Sequence, residues 1–447
     1  MPQRLSEIDS LMARMEQALA VNASQVVWVY DRTLDIAALR SFNERLKSGM
    51  LGRAIAPAAL GAAGDSWTPA TRFAPLEIDT GPIPLDRMES WLTEQSRAYI
   101  DAYGGPAWRL AAVPLEGGGA IASLLVSHAI ADGLLLMQSI ADAVLDRAVD
   151  QSYCTERNSK LLRGLGDVVD ATRNIARALR FHVALARRGP TGQRDSVETP
   201  QVLQPLSTAV LELSEDFEIP RATALVPSTA WHASASNRGG TSTVLALAVA
   251  ADLATSLGRI STTGTVQLKM PVSTRFPHGD GRANAVRGIT LNVECVPVRT
   301  TDLRELRHQL KEALKSDPEG KSDPHAALAA LHKIVPRPRL ARILSSPAAA
   351  DYLGTVVTTV GKPDSAVLRI DGNNASSMAG SLINRTAEDP VRLGALGGSL
   401  AMTVLEVGGT VALRVSGLHP PNPLTRQELS QALNGVLGQY GMDATFW

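Results

Sequence analysis

The stretch that most constrains this chain is residues 120–149, AIASLLVSHAIADGLLLMQSIADAVLDRAV. A nearly unbroken apolar run from Ala120 to Val126 follows the turn Gly117-Gly118-Gly119 and leads into Ser127-His128. Short, apolar on both faces and preceded by glycine, the run reads as a buried strand. After Asp132-Gly133, residues Leu134, Met137, Ile140, Val144 and Leu145 recur at helical spacing, and Asp132 stands where it caps that helix. His128 is therefore expected at the end of a central strand, with a carboxylate one short turn away. A fold presents a positioned base in such a place. The blander reading of the same residues is a core histidine followed by an aspartate that serves only as N-cap.

Bulk properties narrow the function classes. A chain of 447 residues is long enough for two substantial domains. Lys+Arg and Asp+Glu both number 44, so the zero net charge gives no electrostatic case for nucleic acid. The two cysteines, Cys154 and Cys295, lack metal-ligand spacing; neither a disulfide framework nor a metal site is expected, and a reducing compartment fits. The N-terminal segment mixes charge with apolar residues, unlike a secretory signal. No uncharged apolar run approaches the roughly 18 residues of a membrane span. A soluble, cytoplasmic protein is expected.

In order along the chain, residues 4–20 read as an amphipathic helix with Leu5, Ile8, Leu11, Met12, Met15 and Leu19 on one face. A strand at 26–30, a helix at 35–50, a Gly/Pro-rich connection at 54–84 and a helix within 85–101 follow. The runs 107–114 and 120–128 then make a hairpin that delivers His128. Between 157 and 194, nine Lys/Arg stand against Asp167 and Asp170. This segment reads as a solvated helical crossover, or as a basic amphipathic face that touches anionic lipid or an acidic carrier protein. The domain boundaries are an N-terminal lobe at 1–155, crossover and linker at 156–204 and a C-terminal lobe at 205–447. The second lobe reads as strand (208–213), buried helix (241–257), strand (265–272) ending in Ser273-Thr274-Arg275, and strand (289–298). A helix (303–314), helical pieces (326–350), a strand (354–361), a hairpin (399–416) and a closing helix (425–440) complete it. Thr425 and Glu428 form a capping-box pattern at the last helix. The Gly-rich loop 276–284 lacks phosphate-binding spacing.

The strand–His–x–x–x–Asp–Gly–helix unit resembles the chloramphenicol acetyltransferase-like acyltransferases, a superfamily that includes nonribosomal peptide condensation domains, polyketide-associated acyltransferases and wax ester synthase/diacylglycerol acyltransferases. Pro106-Ala107-Trp108 is similar to the Pro-Leu-Trp segment of the wax ester synthase group. Met270-Pro271-Val272-Ser273-Thr274-Arg275 is similar to the strand carrying the arginine that pairs with the motif aspartate. Asn292 falls where condensation domains carry an asparagine, and residues 358–363 resemble the segment that closes the wax ester synthase pattern. Three features depart from the family: Ser127-His128 replaces a doubled histidine, Ser242-Thr243 replaces an Asn-Asp pair, and the Asp-Phe-Gly-Trp-Gly motif is absent.

The resemblance implies an α/β fold of two lobes, each a mixed sheet flanked by helices, with a tunnel between them and His128 at its middle. It further implies acyl transfer from a CoA or carrier-protein thioester to a hydroxyl. His128 would be the general base, and the acceptor would attack without a covalent enzyme intermediate. An Asp132–Arg275 ion pair would hold the motif loop, and Gly133 would leave room beside the histidine. Ser127, on the opposite strand face, makes a poor nucleophile. Trp108 is a candidate tunnel-lining residue, with core packing as its alternative. Ser273, Asn292, Thr358 and Thr359 are candidate donors to the oxyanion. The thioester is a co-substrate, and no cofactor or metal is expected. Two other functions fit these residues: a stand-alone condensation enzyme forming an amide, and a non-catalytic module that holds acyl chains or carrier proteins.

Overall fold

The computed structural model describes residues 3–19, 23–149, 166–176, 218–261, 263–276, 279–295, 300–316, 355–383, 398–418 and 424–447, with isolated positions between 333 and 342. The expected crossover and linker at 156–204, with its basic segment 157–194, lies outside the described residues apart from a helical stretch at 166–176. The strand expected at 208–213 and nearly all of the helical pieces at 326–350 lie outside them too.

β5 (Trp108–Pro114) and β6 (Ala120–Ser127) form the expected hairpin, paired antiparallel from Trp108↔Val126 to Pro114↔Ala120. Every position of β6 is buried, since a strand apolar on both faces belongs in the middle of a covered sheet. On its other side lies β1 (Ala23–Tyr30), antiparallel with Ala23 opposite Ser127. β4 (Glu77–Ile78) and β11 (Ser377–Ile383) complete a five-stranded sheet in the order β11-β1-β6-β5-β4. α2 (Ile36–Ser48) and α4 (Gly133–Val144) supply Leu39, Phe42, Leu46, Leu136 and Ile140 to a core with Trp28 and Trp108. α3 (Met88–Arg97) packs Met88, Trp91 and Leu92 against Val27 and Ile121 in a separate cluster. α1 (Glu7–Leu19) precedes this sheet, and residues just before it pair with the hairpin of β2 (Arg53–Ala56) and β3 (Ser66–Pro69).

The second sheet has seven strands. They are β7 (Arg221–Pro227), β8 (Thr265–Ser273), β9 (Val286–Glu294), β10 (Thr355–Gly361), β12 (Ser399–Val407), β13 (Thr410–Leu418) and β14 (Thr445–Phe446). Their order is β14-β7-β13-β12-β10-β8-β9. α5 (Ser228–Asn237), α6 (Ser242–Ser256), α7 (Arg304–Ser316) and α8 (Arg426–Gln439) contribute to the same core. α6 is apolar all round and buried accordingly from Val244 to Ala251. Thr425 and Glu428 form a complete capping box at the start of α8. β10 runs parallel to β8, so the two strands end on the same side. There Val360 of β10 comes within contact distance of Gly133.

β11 departs from the sequence-based division. The boundary at 205 assigns it to the C-terminal lobe, yet it pairs with β1 from Ala23↔Ile383 to Val29↔Ser377 in the first sheet. The segment before it belongs there as well. Trp28 Nε1 donates to Val367 O at 2.7 Å, and Arg32 holds both oxygens of Asp371 at 2.7 and 2.8 Å. The sequence SMAGSLI carries little intrinsic strand preference. Its place is set by the core it covers.

Candidate active site

β6 ends at Ser127, and a tight turn (Ile130 N to Ser127 O, 3.1 Å) carries the chain to Asp132. Asp132 Oδ1 accepts from Leu135 N at 2.9 Å and so caps α4. Its other oxygen accepts from Arg275 Nη2 at 2.7 Å and from Ala285 N at 2.9 Å. The cap and the ion pair are thus both real, on different oxygens of one carboxylate. With side-chain exposures of 11% for Arg275 and 4% for Asp132, the pair is sheltered from solvent. Asp132 acts on His128 through space, by its charge.

Arg275 also organises the Gly-rich loop that follows β8. Nη1 donates to the carbonyls of Asp280 and Arg282 at 3.2 and 3.0 Å, and Nη2 to that of Ala283 at 3.3 Å. Within the loop Arg282 holds the Asp280 carboxyl far below the usual carboxylate range. Arg53 of β2, stacked 4.0 Å over the Trp67 ring, fastens this loop to the histidine turn. Its Nη1 donates to Gly281 O at 2.7 Å and its Nη2 to Ile130 O at 2.8 Å. Arg53 escaped sequence reasoning; its one signal was a lone arginine in an apolar run.

His128 is half-buried, with Nδ1 enclosed and unpaired. Its carbonyl accepts from Asn284 Nδ2 at 2.8 Å. Burial lowers the pKa of the ring below its ordinary 6.5, against the opposing effects of the Asp132 charge and the Asn284 side chain. Behind the turn stands α1. Ser127 is fully buried and donates to Glu16, which also accepts from Ala102 N at 3.2 Å. The serine hydroxyl is therefore engaged away from His128. Asp9 Oδ1 accepts from Asn284 N at 2.6 Å, and burial pushes the Asp9 carboxyl up. Amphipathicity marked the apolar face of this helix. It gave no sign that Asp9 is buried alongside Leu11.

The remaining predicted residues divide. Thr358 and Thr359 lie half-buried on β10, near the end that meets Gly133. A Cβ on Gly133 would meet only Val360 Cγ2, at 3.6 Å, so no protein backbone requires the room glycine leaves. Ser273 is exposed, and its Oγ accepts from Arg275 N at 3.2 Å, serving the turn. Two expectations are corrected. Asn292 is exposed on β9 beside Gln267. From Ala285 to Asn292 the strand runs about 23 Å away from Asp132 at ~3.3 Å per residue. Trp108 is 2% exposed, donates Nε1 to Leu51 O at 3.0 Å and leans on Phe73 at 6.2 Å. It is a core residue with its polar atom satisfied.

Among the described residues, no helix is long and apolar enough to cross a membrane, and no group of three His, Cys, Asp or Glu is placed to hold a metal.

No protein-family model and no curated protein sequence matches the chain. Solved structures match it in fold. The starter condensation domain of rhizomide synthetase RzmA, as a double mutant, superposes with TM-score 0.54 at 15% identity, over 98% of this chain and 93% of that one. The first condensation domain of the CDA synthetase gives 0.54 at 13%, over 98% and 96%. Polyketide synthase associated protein 5 from Mycobacterium tuberculosis gives 0.53 at 12%, over 98% and 96%. The chain has the two-lobed α/β fold of condensation domains, as the motif resemblance implies.

Proposed function

We propose that this chain is an acyltransferase in which His128 takes the proton of an acceptor hydroxyl as that oxygen attacks the thioester of CoA or of a carrier protein. The observation that carries this reading is a half-buried imidazole whose pKa is lowered by burial, held on a turn that the Asp132–Arg275 pair clamps. Neutral at pH 7, such a ring is a competent base. The O–H proton passes to His128 as the O–C bond forms. The tetrahedral intermediate then expels the thiolate with cleavage of C–S, and the imidazolium returns the proton to sulfur. Ser127 is engaged by Glu16, which favours direct attack by the acceptor over a serine intermediate. The oxyanion donor in this reading is one of Thr358 and Thr359, which as neighbours on β10 face opposite ways; Ser273 is taken up by the Arg275 turn.

A structure of the rhizomide synthetase starter condensation domain in complex with C8-CoA favours acyl-CoA as the donor class. The basic segment 157–194 is the proposed contact for a carrier protein or anionic lipid, on its charge alone. The likeness to condensation domains favours a second reading, in which the same base serves an amine and the product is an amide. Pro106-Ala107-Trp108 and residues 358–363 favour the ester.

The deciding experiment mixes the protein with a panel of acyl thioesters and matched alcohols and amines, and reads free thiol and product mass. Thiol release coupled to an ester of the expected mass is the predicted result, and an amide selects the second reading. His128→Ala should keep its unfolding midpoint and lose about 10²- to 10⁴-fold in rate. A folded His128→Ala protein working at the wild-type rate would end the assignment. Tight acyl-chain binding without turnover would make the chain a binding module.

A further inference from the structure

Asn284 closes the loop that Arg275 organises and is buried to 1% exposure. Its two donor groups face α1 and the histidine turn. The backbone N–H is held by Asp9 Oδ1 at 2.6 Å, and the amide nitrogen lies 2.8 Å from the carbonyl oxygen of His128. A carbonyl only accepts, so the atom against it is the NH₂ group, and the orientation of the carboxamide is fixed. Its Oδ1 is then the free end. That oxygen is buried and has no partner among the described residues, and the same holds for His128 Nδ1. Two buried, unsatisfied polar atoms on contacting residues, one an acceptor and the other able to carry a proton, are satisfied together by a single hydrogen bond.

We propose that Asn284 is the positioning residue for His128: its Nδ2–H clasps the histidine carbonyl while its Oδ1 accepts from Nδ1–H, fixing the tautomer that leaves Nε2 bare. The second ring nitrogen sets which one does the chemistry. With Nδ1 protonated and enclosed, the lone pair that takes the acceptor's proton is on Nε2. Asp9 acts one step further back, by holding the backbone of Asn284. Asp132 before α4, Arg275 and Arg282 after β8, Arg53 of β2, and Asp9 and Glu16 of α1 are the charged groups about the turn. The first two neutralise each other, and Arg53 is spent on the carbonyls of Ile130 and Gly281. The choice of tautomer therefore falls to neutral acceptors, the Asn284 carboxamide together with the carbonyl of His128 itself. The role of Nε2 as base rests on the acyltransfer reading, whereas the tautomer does not.

The test is ¹⁵N NMR of the histidine rings in the whole folded protein, with His128 identified by its loss in His128→Ala. The expected wild-type signal is the Nδ1–H tautomer. Asn284→Ala should mix the tautomers and lower the His128 pKa. Asn284→Asp, which keeps the acceptor and adds charge, should restore Nδ1–H and raise the pKa above the wild-type value. A role in packing alone would not reverse the sign between two substitutions of the same residue. With a working donor and acceptor pair, Asn284→Ala should lower kcat about 10- to 100-fold, by analogy with groups that orient metal-bound histidines, with KM little changed. A wild-type ring protonated at Nε2, or ring shifts unmoved in a folded Asn284→Ala protein, would overturn the proposal. If the tautomer behaves as expected and no donor–acceptor pair gives His128-dependent thiol release, the acyltransfer reading fails and the positioning role stands.

Discussion

His128 is tuned by where it is placed more than by what it touches. Burial is the largest influence on its ring and disfavours the imidazolium; the Asp132 charge and the Asn284 carboxamide pull the other way without reversing the direction. The acid limb of kcat/KM is therefore expected below pH 6.5, with activity flat from there to neutrality, since the base works only when neutral. Stability follows the same sign. The folded pKa lies below the unfolded value, so the unfolded chain binds more protons as pH falls through 6.5. This contribution is complete above pH 6.5 and is lost progressively below it. A pH–rate profile and urea unfolding midpoints across pH 5–8 check both expectations. An inflection in kcat/KM above 6.5 assigned to His128 would show that the ring is not shielded as described.

At the scale of elements, the site is a strand end, a helix cap and a loop tied by one carboxylate. Asp132 satisfies the first turn of α4 with one oxygen and binds Arg275 and Ala285 N with the other. Arg275→Ala leaves that oxygen sheltered with a single neutral donor, and the Gly-rich loop loses the guanidinium that held three of its carbonyls. A loss of about 3–5 kcal/mol is expected from breaking a buried pair on one side, readable as a lower urea midpoint. Asp132→Asn combined with Arg275→Leu, which removes both charges, should recover part of it. A midpoint for Arg275→Ala within the error of wild type would show the clamp to be incidental. This much was legible in the sequence, because strand, cap and motif each leave a local pattern and the family resemblance supplied the partner arginine. The rest left none. β11 is a run of small residues recruited by a core on the other half of the chain. β7, from Arg221, and α5, from Ser228, went unread. Asn284, Asp9 and Arg53 are polar residues buried on elements whose periodicity reports only their apolar positions. Asn292 was singled out by its likeness to an asparagine of condensation domains, and the antiparallel course of β9 carries it away.

The two lobes are joined more firmly than a linker alone would join them. β11 and the segment before it pass from the second half of the chain into the first sheet. At a separate place α3 of the first lobe meets β7 and β13 of the second. There Arg414, 2% exposed, grips Glu89 in two bonds of 2.9 Å and takes Thr223 Oγ1 at 2.7 Å, while Arg221 donates to Thr93 Oγ1 at 2.7 Å. Bidentate pairing of this kind fixes orientation as well as distance. Because the Asp132–Arg275 pair also joins the N-cap of α4 to a residue following β8, the seam is pinned at both sites. Glu89→Ala strands a buried guanidinium and should cost about 3–5 kcal/mol, whereas Glu89→Gln keeps one acceptor and should cost less. Fluorescence and circular dichroism should report one coincident transition for the wild type. In Glu89→Ala the transition should move to lower urea and the two probes should separate, as the lobes begin to open independently. A midpoint and coincidence unchanged by Glu89→Ala would mean that the lobes are held by the shared β11 alone.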